Sequence, residues 1–89
     1  MQTCWSPDTG SSRYQWRKWP LTSLVRRYRL HDLEQRRLVA ELRHLPGMAW
    51  KVFSVQPAPV SGFIFTHEYS APTLQRAQAL AMLMVRLDD

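Results

Sequence analysis

One cysteine, three glycines and two lysines stand among the 89 residues, and each scarcity excludes something. A lone Cys4 forms no intramolecular disulfide, so a reducing compartment is expected. Three glycines set far apart provide no glycine-rich loop to cradle a phosphate. Cys4, His31, His44 and His67 lack the short ligand spacings of zinc sites, so neither a metal nor a cofactor is expected. His67 and Glu68 are neighbours in a β-rich stretch and point to opposite faces, which is wrong for a paired acid and base. No constellation suits catalysis, and a binding protein is expected rather than an enzyme. The most apolar run, residues 80–85, is far too short to span a bilayer, and the first twenty residues contain no apolar core of a secretory signal. A cytoplasmic protein without membrane contact is the resulting expectation.

What is present is apolar mass and positive charge. Hydrophobic residues make up 45% of the chain and charged ones 21%, a globular composition at a length that fits one small domain. Four tryptophans each bring a large apolar surface and one N–H to satisfy, so they serve as core anchors or contact residues. The net charge is +5 and ten of the twelve basic residues are arginine. Planar guanidinium forks suit phosphates and carboxylates, which points to nucleic acid or an acidic protein surface as partner.

Residues 1–19 read as a flexible arm ending in a basic and aromatic cluster, and residues 20–89 as one α+β domain. Ser6-Pro7-Asp8-Thr9-Gly10 is linker chemistry, and the Tyr14/Trp16 alternation admits a short strand. After Pro20, Leu21, Leu24, Val25 and Tyr28 follow helical spacing, and Val39 and Leu42 continue it if the helix runs to Leu45. Leu30 and Leu33 fall on the polar side, so the helix bends at Asp32, with Gln35 as capping-box partner, or these leucines meet another chain. Pro46-Gly47 ends it. Residues 48–55 and 60–69 are β-rich and joined by Gln56-Pro57-Ala58-Pro59, and a helix from Ser70-Ala71-Pro72-Thr73 runs to Leu87. The expected architecture is arm–α–β–β–α, with a β-hairpin packed on two helices.

Three features carry the expected function. On a straight helix Arg29, Arg36 and Arg43 line up at spacings of seven beside Arg26 and Arg37, long enough to follow a nucleic-acid backbone. A solvated face is the plainer reading of the same stripe, with Asp32 pairing Arg36 and with Glu34 and Glu41 pairing Arg37. The cluster Arg13, Trp16, Arg17, Lys18 and Trp19 sets rings beside cations, as single-stranded nucleic acid selects, although Trp16 and Trp19 would equally fill a small core. In the last helix Leu74, Ala77, Ala81, Met84 and Val85 form a core face, while Leu80, Leu83 and Leu87 lie on another side, a possible homodimer interface. These features describe a small nucleic-acid-associated accessory or regulatory factor docking through an arginine-rich helix. The alternative is an inhibitor or adaptor of the kind phages and mobile elements encode, seated on an acidic patch of a larger machine. The motifs identify no family.

Overall fold

The computed structural model describes residues 13–19, 24–60 and 62–88. Five strands, Tyr14–Trp19 (β1), Arg26–Asp32 (β2), Arg37–His44 (β3), Trp50–Ala58 (β4) and Gly62–Ala71 (β5), form one antiparallel sheet in the order β1-β2-β3-β4-β5. One helix follows, Leu74–Asp88 (α1). It is not long and apolar enough to cross a membrane. The expected arm–α–β–β–α order with two helices is therefore overturned: residues 26–44 are a β-hairpin, and a single helix covers the sheet. The arm expected over residues 1–12 and the helix start at Pro20 lie outside the described residues.

Strand alternation explains what helical periodicity could not. In β2, Tyr28 and Leu30 face the core, and Leu30, stranded among arginines on a helix, is wholly buried. At the end of β2 the Asp32 carboxylate accepts the backbone N–H groups of Glu34 at 2.9 Å and Gln35 at 3.1 Å. That is capping chemistry, used here to close a four-residue hairpin loop. Arg36, with φ 57°, turns the chain back instead of letting a helix propagate. β3 lies at the centre of the sheet, and Leu38, Val39, Ala40, Glu41 and Leu42 are all buried. A continuously buried strand has no period-2 signature and resembles a helix segment in sequence.

Two further connections are short. Leu45-Pro46-Gly47-Met48 joins β3 to β4, with the Met48 N–H donating to the Leu45 carbonyl at 3.1 Å and Gly47 at φ 78°. This is the arrangement a Pro-Gly type II turn requires, since its third position needs positive φ. β4 extends through Pro57 and Ala58, further than the proline-bounded loop expected there. Pairing with β3 ends at Ser54, so Pro57 stands where β4 is flanked by β5 alone.

The core lies between the sheet and α1. Ala77, Ala81, Met84 and Val85 are buried against Leu30, Val39, Ala40, Leu42, Trp50 and Val52, with Leu74, Leu80, Tyr14, Trp16 and Tyr28 packed at its margin. The core face read for the last helix is the one it uses. Small alanines at positions 77 and 81 let the helix approach the strands closely. Two bulges adjust the sheet beneath it. The register slips at Leu30/His31, where Val39 is the extra residue, and at Val52/Phe53, where Glu68 is. The Ser54 hydroxyl donates to the Glu68 carboxylate at 2.7 Å, fixing the second bulge. The phase of β5 changes there, so Ala71 reaches the core while Phe65 and His67 join the other face.

Asp32 also secures the N-terminal strand. It pairs with Arg13 and not, as helical spacing suggested, with Arg36. The Arg13 Nε and Nη2 donate to its carboxylate at 2.9–3.2 Å, and the Leu33 N–H donates to the Arg13 carbonyl. The hydrogen bonds from Arg13, helped by the N–H groups of Gln35 and Glu34, hold the Asp32 carboxyl below the usual carboxylate range despite its burial. Asp32→Asn keeps a turn acceptor but loses the ion pair, and should cost about 1.5–3 kcal/mol at pH 7. Because the folded-state pKa is depressed, the native advantage is complete above the unfolded value of about 3.9 and fades as pH falls through the lower folded value. Urea melts of both proteins at pH 7 and pH 2 should converge at the acid end. A constant gap would refute the ion pair's part in stability.

Candidate functional site

Among the described residues no helix covers the second face of the sheet, and the residues there form two rows across all five strands. Trp19, Arg27, Arg43, Lys51 and Ser70 are successive cross-strand neighbours, as are Arg17, Arg29, Glu41, Phe53 and His67. Neighbouring positions along each strand belong to the core, so strand alternation turns both rows away from α1. Five cations and one carboxylate share this surface. Arg29 and Arg43 meet both that carboxylate and aromatic rings.

Glu41 holds the arrangement together. Its side chain is wholly buried, and Arg29 Nε donates to Oε1 at 2.7 Å while Arg43 Nε donates to Oε2. A carboxylate sealed from water is several kcal/mol unfavourable on its own, and two charge-assisted hydrogen bonds offset that. The guanidiniums in turn lie on aromatic rings. Arg29 sits 4.1 Å over Trp19, and Arg43 sits 4.4 Å from Phe53 and 5.1 Å from Phe65. Phe65 continues to Phe63, and Phe53 to His67, so rings extend to the β5 edge. Glu41 engages only the Nε edge of each arginine, which leaves the Nη groups to meet an anion.

The local field is positive enough to act on a neighbour. Burial, and then the charges of Arg17 and Arg29, hold the His31 imidazole below its ordinary range, so it is neutral at pH 7. His31 is cross-strand neighbour to Gln15, whose carbonyl oxygen accepts from Arg17 at 2.9 Å.

The residues singled out in sequence divide among several places. Arg17, Trp19, Arg29 and Arg43 come together on the open face, though on strands and not on a helical stripe. Trp16 and Trp19 part company because a spacing of three puts them on opposite faces of β1. Trp16 packs against the core, while Trp19 is 40% exposed beneath Arg29. Arg13 is committed to Asp32, and Arg36 occupies the hairpin loop. Lys18 and Arg26 neighbour Tyr28 and His44, in phase with the core side. Leu80 is half-buried against the core, whereas Leu83 and Leu87 are exposed on α1. Missed in sequence were Arg27, Lys51, Phe53, Phe65, His31 and the central role of Glu41. The alternation of Lys51 with Val52 and Phe53 was visible, but the identity of the neighbouring strand was not. No family model matches the chain, and no curated protein or solved structure matches it significantly.

The triad yields a test of its own. Glu41→Gln leaves Arg29 and Arg43 facing one another without their anion and should cost about 3 kcal/mol, the lower end for a broken buried pair because both arginines reach solvent. Adding Arg29→Met and Arg43→Met to a Glu41→Leu background should restore stability to within about 1 kcal/mol of the native chain. Urea denaturation at pH 7 reads both. A triple variant as weak as the single one would show that the ionic form is required for folding.

Proposed function

We propose that this is a non-enzymatic binding protein whose open sheet face takes single-stranded nucleic acid. The observation that carries the reading is the interleaving of Trp19, Phe53 and Phe65 with Arg29 and Arg43 on a cationic surface with one buried acid. Bases offer π-faces to exposed rings, and phosphates meet guanidiniums, so such a surface binds a single strand with little regard to sequence. A duplex hides its base faces and cannot use the rings. Five strands about 4.8 Å apart make a platform roughly 19 Å across, which accommodates several stacked nucleotides. The site thus moves from the expected arginine-rich helix to the sheet. An acidic protein partner would meet the same charges, but it gives no special use to a series of rings separated by cations.

Fluorescence anisotropy with labelled single-stranded oligonucleotides tests this. With three to five phosphates contacted, the log–log salt slope should be about −2 to −3.5. Trp19→Ala should remove about 1–3 kcal/mol of binding while lowering the thermal melt less than loss of Trp16 does. Trp16→Ala should lower the melt and spare intrinsic affinity. Bound polyanion should also raise the His31 pKa, read by NMR, by offsetting Arg17 and Arg29. Absence of binding at low salt would overturn the reading and favour the acidic protein surface.

A further inference from the structure

We propose that the cavity at one end of the open face is a site for a phosphate monoester, namely the terminal phosphate of the single strand that the sheet binds. The inference rests on the sheet-face reading and adds to it a preference for one kind of strand end. The cavity has a volume of about 230 Å³ and is lined by Arg27, Arg43 and Lys51 together with Val25, Leu45, Met48, Ala49 and Phe53. The three cations are consecutive cross-strand neighbours on β2, β3 and β4, so the sheet's register brings them together. No carboxylate among the described residues lines the space.

Arg27 distinguishes this cavity from the rest of the surface. Its Nε is buried and has no hydrogen-bond partner among the described residues. Buried polar groups in folded proteins are paired almost without exception, and this orphaned N–H belongs to a side chain that lines the cavity beside two further cations. Arg29 and Arg43 have Glu41 beneath them, and Arg27 and Lys51 have no such carboxylate among the described residues.

Charge matching selects the anion. Arg43 is balanced in part by Glu41, and the cavity keeps close to two uncompensated positive charges. An internal phosphodiester brings one negative charge, whereas a phosphate monoester carries about −1.5 to −2 near neutrality. The remaining walls also suit a chain end. Leu45 and Met48 belong to the turn between β3 and β4 and present exposed apolar surface to the cavity. They offer a ribose or base a place to rest.

Titration of the ¹⁵N-labelled protein with adenosine 5′-monophosphate, adenosine 3′-monophosphate and adenosine tests the cavity directly, with the Arg27 Nε–H resonance as reporter. At least one monophosphate should shift that resonance and adenosine should not. Oligonucleotides ending in a 5′-phosphate, a 3′-phosphate or hydroxyls only are then compared by anisotropy. The matching phosphorylated end should bind roughly tenfold tighter. Arg27→Gln should abolish the preference, so that phosphate-ended and hydroxyl-ended strands bind the variant equally, with a melt confirming the fold. Lys51→Gln should reduce the preference in the same direction. Oligonucleotide binding without any end preference, or a preference that survives Arg27→Gln, overturns the cavity's role and leaves the sheet face standing. A monophosphate shift at Arg27 with no oligonucleotide binding overturns the sheet-face reading and the strand end with it.

Discussion

The buried carboxylate of Glu41, clasped by Arg29 and Arg43, is the constraint on which the open face depends. A five-stranded sheet has two faces, and among the described residues one helix covers one of them. A second face made only of aliphatic side chains would be a large apolar patch with nothing to cover it. A second face of free cations would repel itself across neighbouring strands. The chain resolves both difficulties with a thin layer of rings and guanidiniums fastened at its centre to one anion. That layer buries β3 from above as α1 buries it from below, which is why five consecutive residues of β3 are out of solvent.

Parts of this were legible in the sequence. The C-terminal helix carries an i, i+3, i+4 pattern long enough to define its buried face, and Ala77, Ala81, Met84 and Val85 occupy it. The strands around Trp50 and Phe65 declared themselves through β-branched and aromatic residues. The hairpin of β2 and β3 did not, for three physical reasons. Its central strand is buried on both faces and shows no alternation. Its turn begins with an aspartate whose local hydrogen bonds are the same ones that start a helix. Its arginines recur every seven residues, which mimics a helical stripe but here leaves Arg36 in the loop and brings Arg29 and Arg43 together on Glu41. The tell-tale was Leu30, an apolar residue on the wrong side of the supposed helix. It is one of the most deeply buried side chains in the protein.

On the proposed reading the same arginines serve stability and recognition at once. Ring stacking and the Glu41 contacts hold each guanidinium in place before any ligand arrives, so little side-chain entropy remains to be lost on binding. Nε faces inward to the carboxylate and the Nη groups remain outward, a division of labour that lysine, with its single ammonium group, could not provide. The predominance of arginine over lysine thus has a structural use on this face. It also means that charge-reversal at Arg29 or Arg43 would disturb the fold and the surface together. Trp19, Phe65 and Arg27 are the positions where the two effects come apart.

Stacking on rings between cations discriminates poorly among bases, because each base offers a similar π-face. A surface of this kind gains affinity from several small contacts and selectivity from few of them. Selectivity has to come from a place where the shape and charge of the ligand are both constrained. The only buried, unpartnered side-chain polar atom among the described residues is Arg27 Nε, at the cavity where the sheet face ends against the turn between β3 and β4. On the proposed reading, a flat platform that accepts any single strand and an end cavity that accepts one kind of terminus would divide the work of binding between them. The division follows from the fold itself. The register that aligns Trp19, Arg27, Arg43 and Lys51 across four strands gives the platform its cationic edge and the cavity its cations.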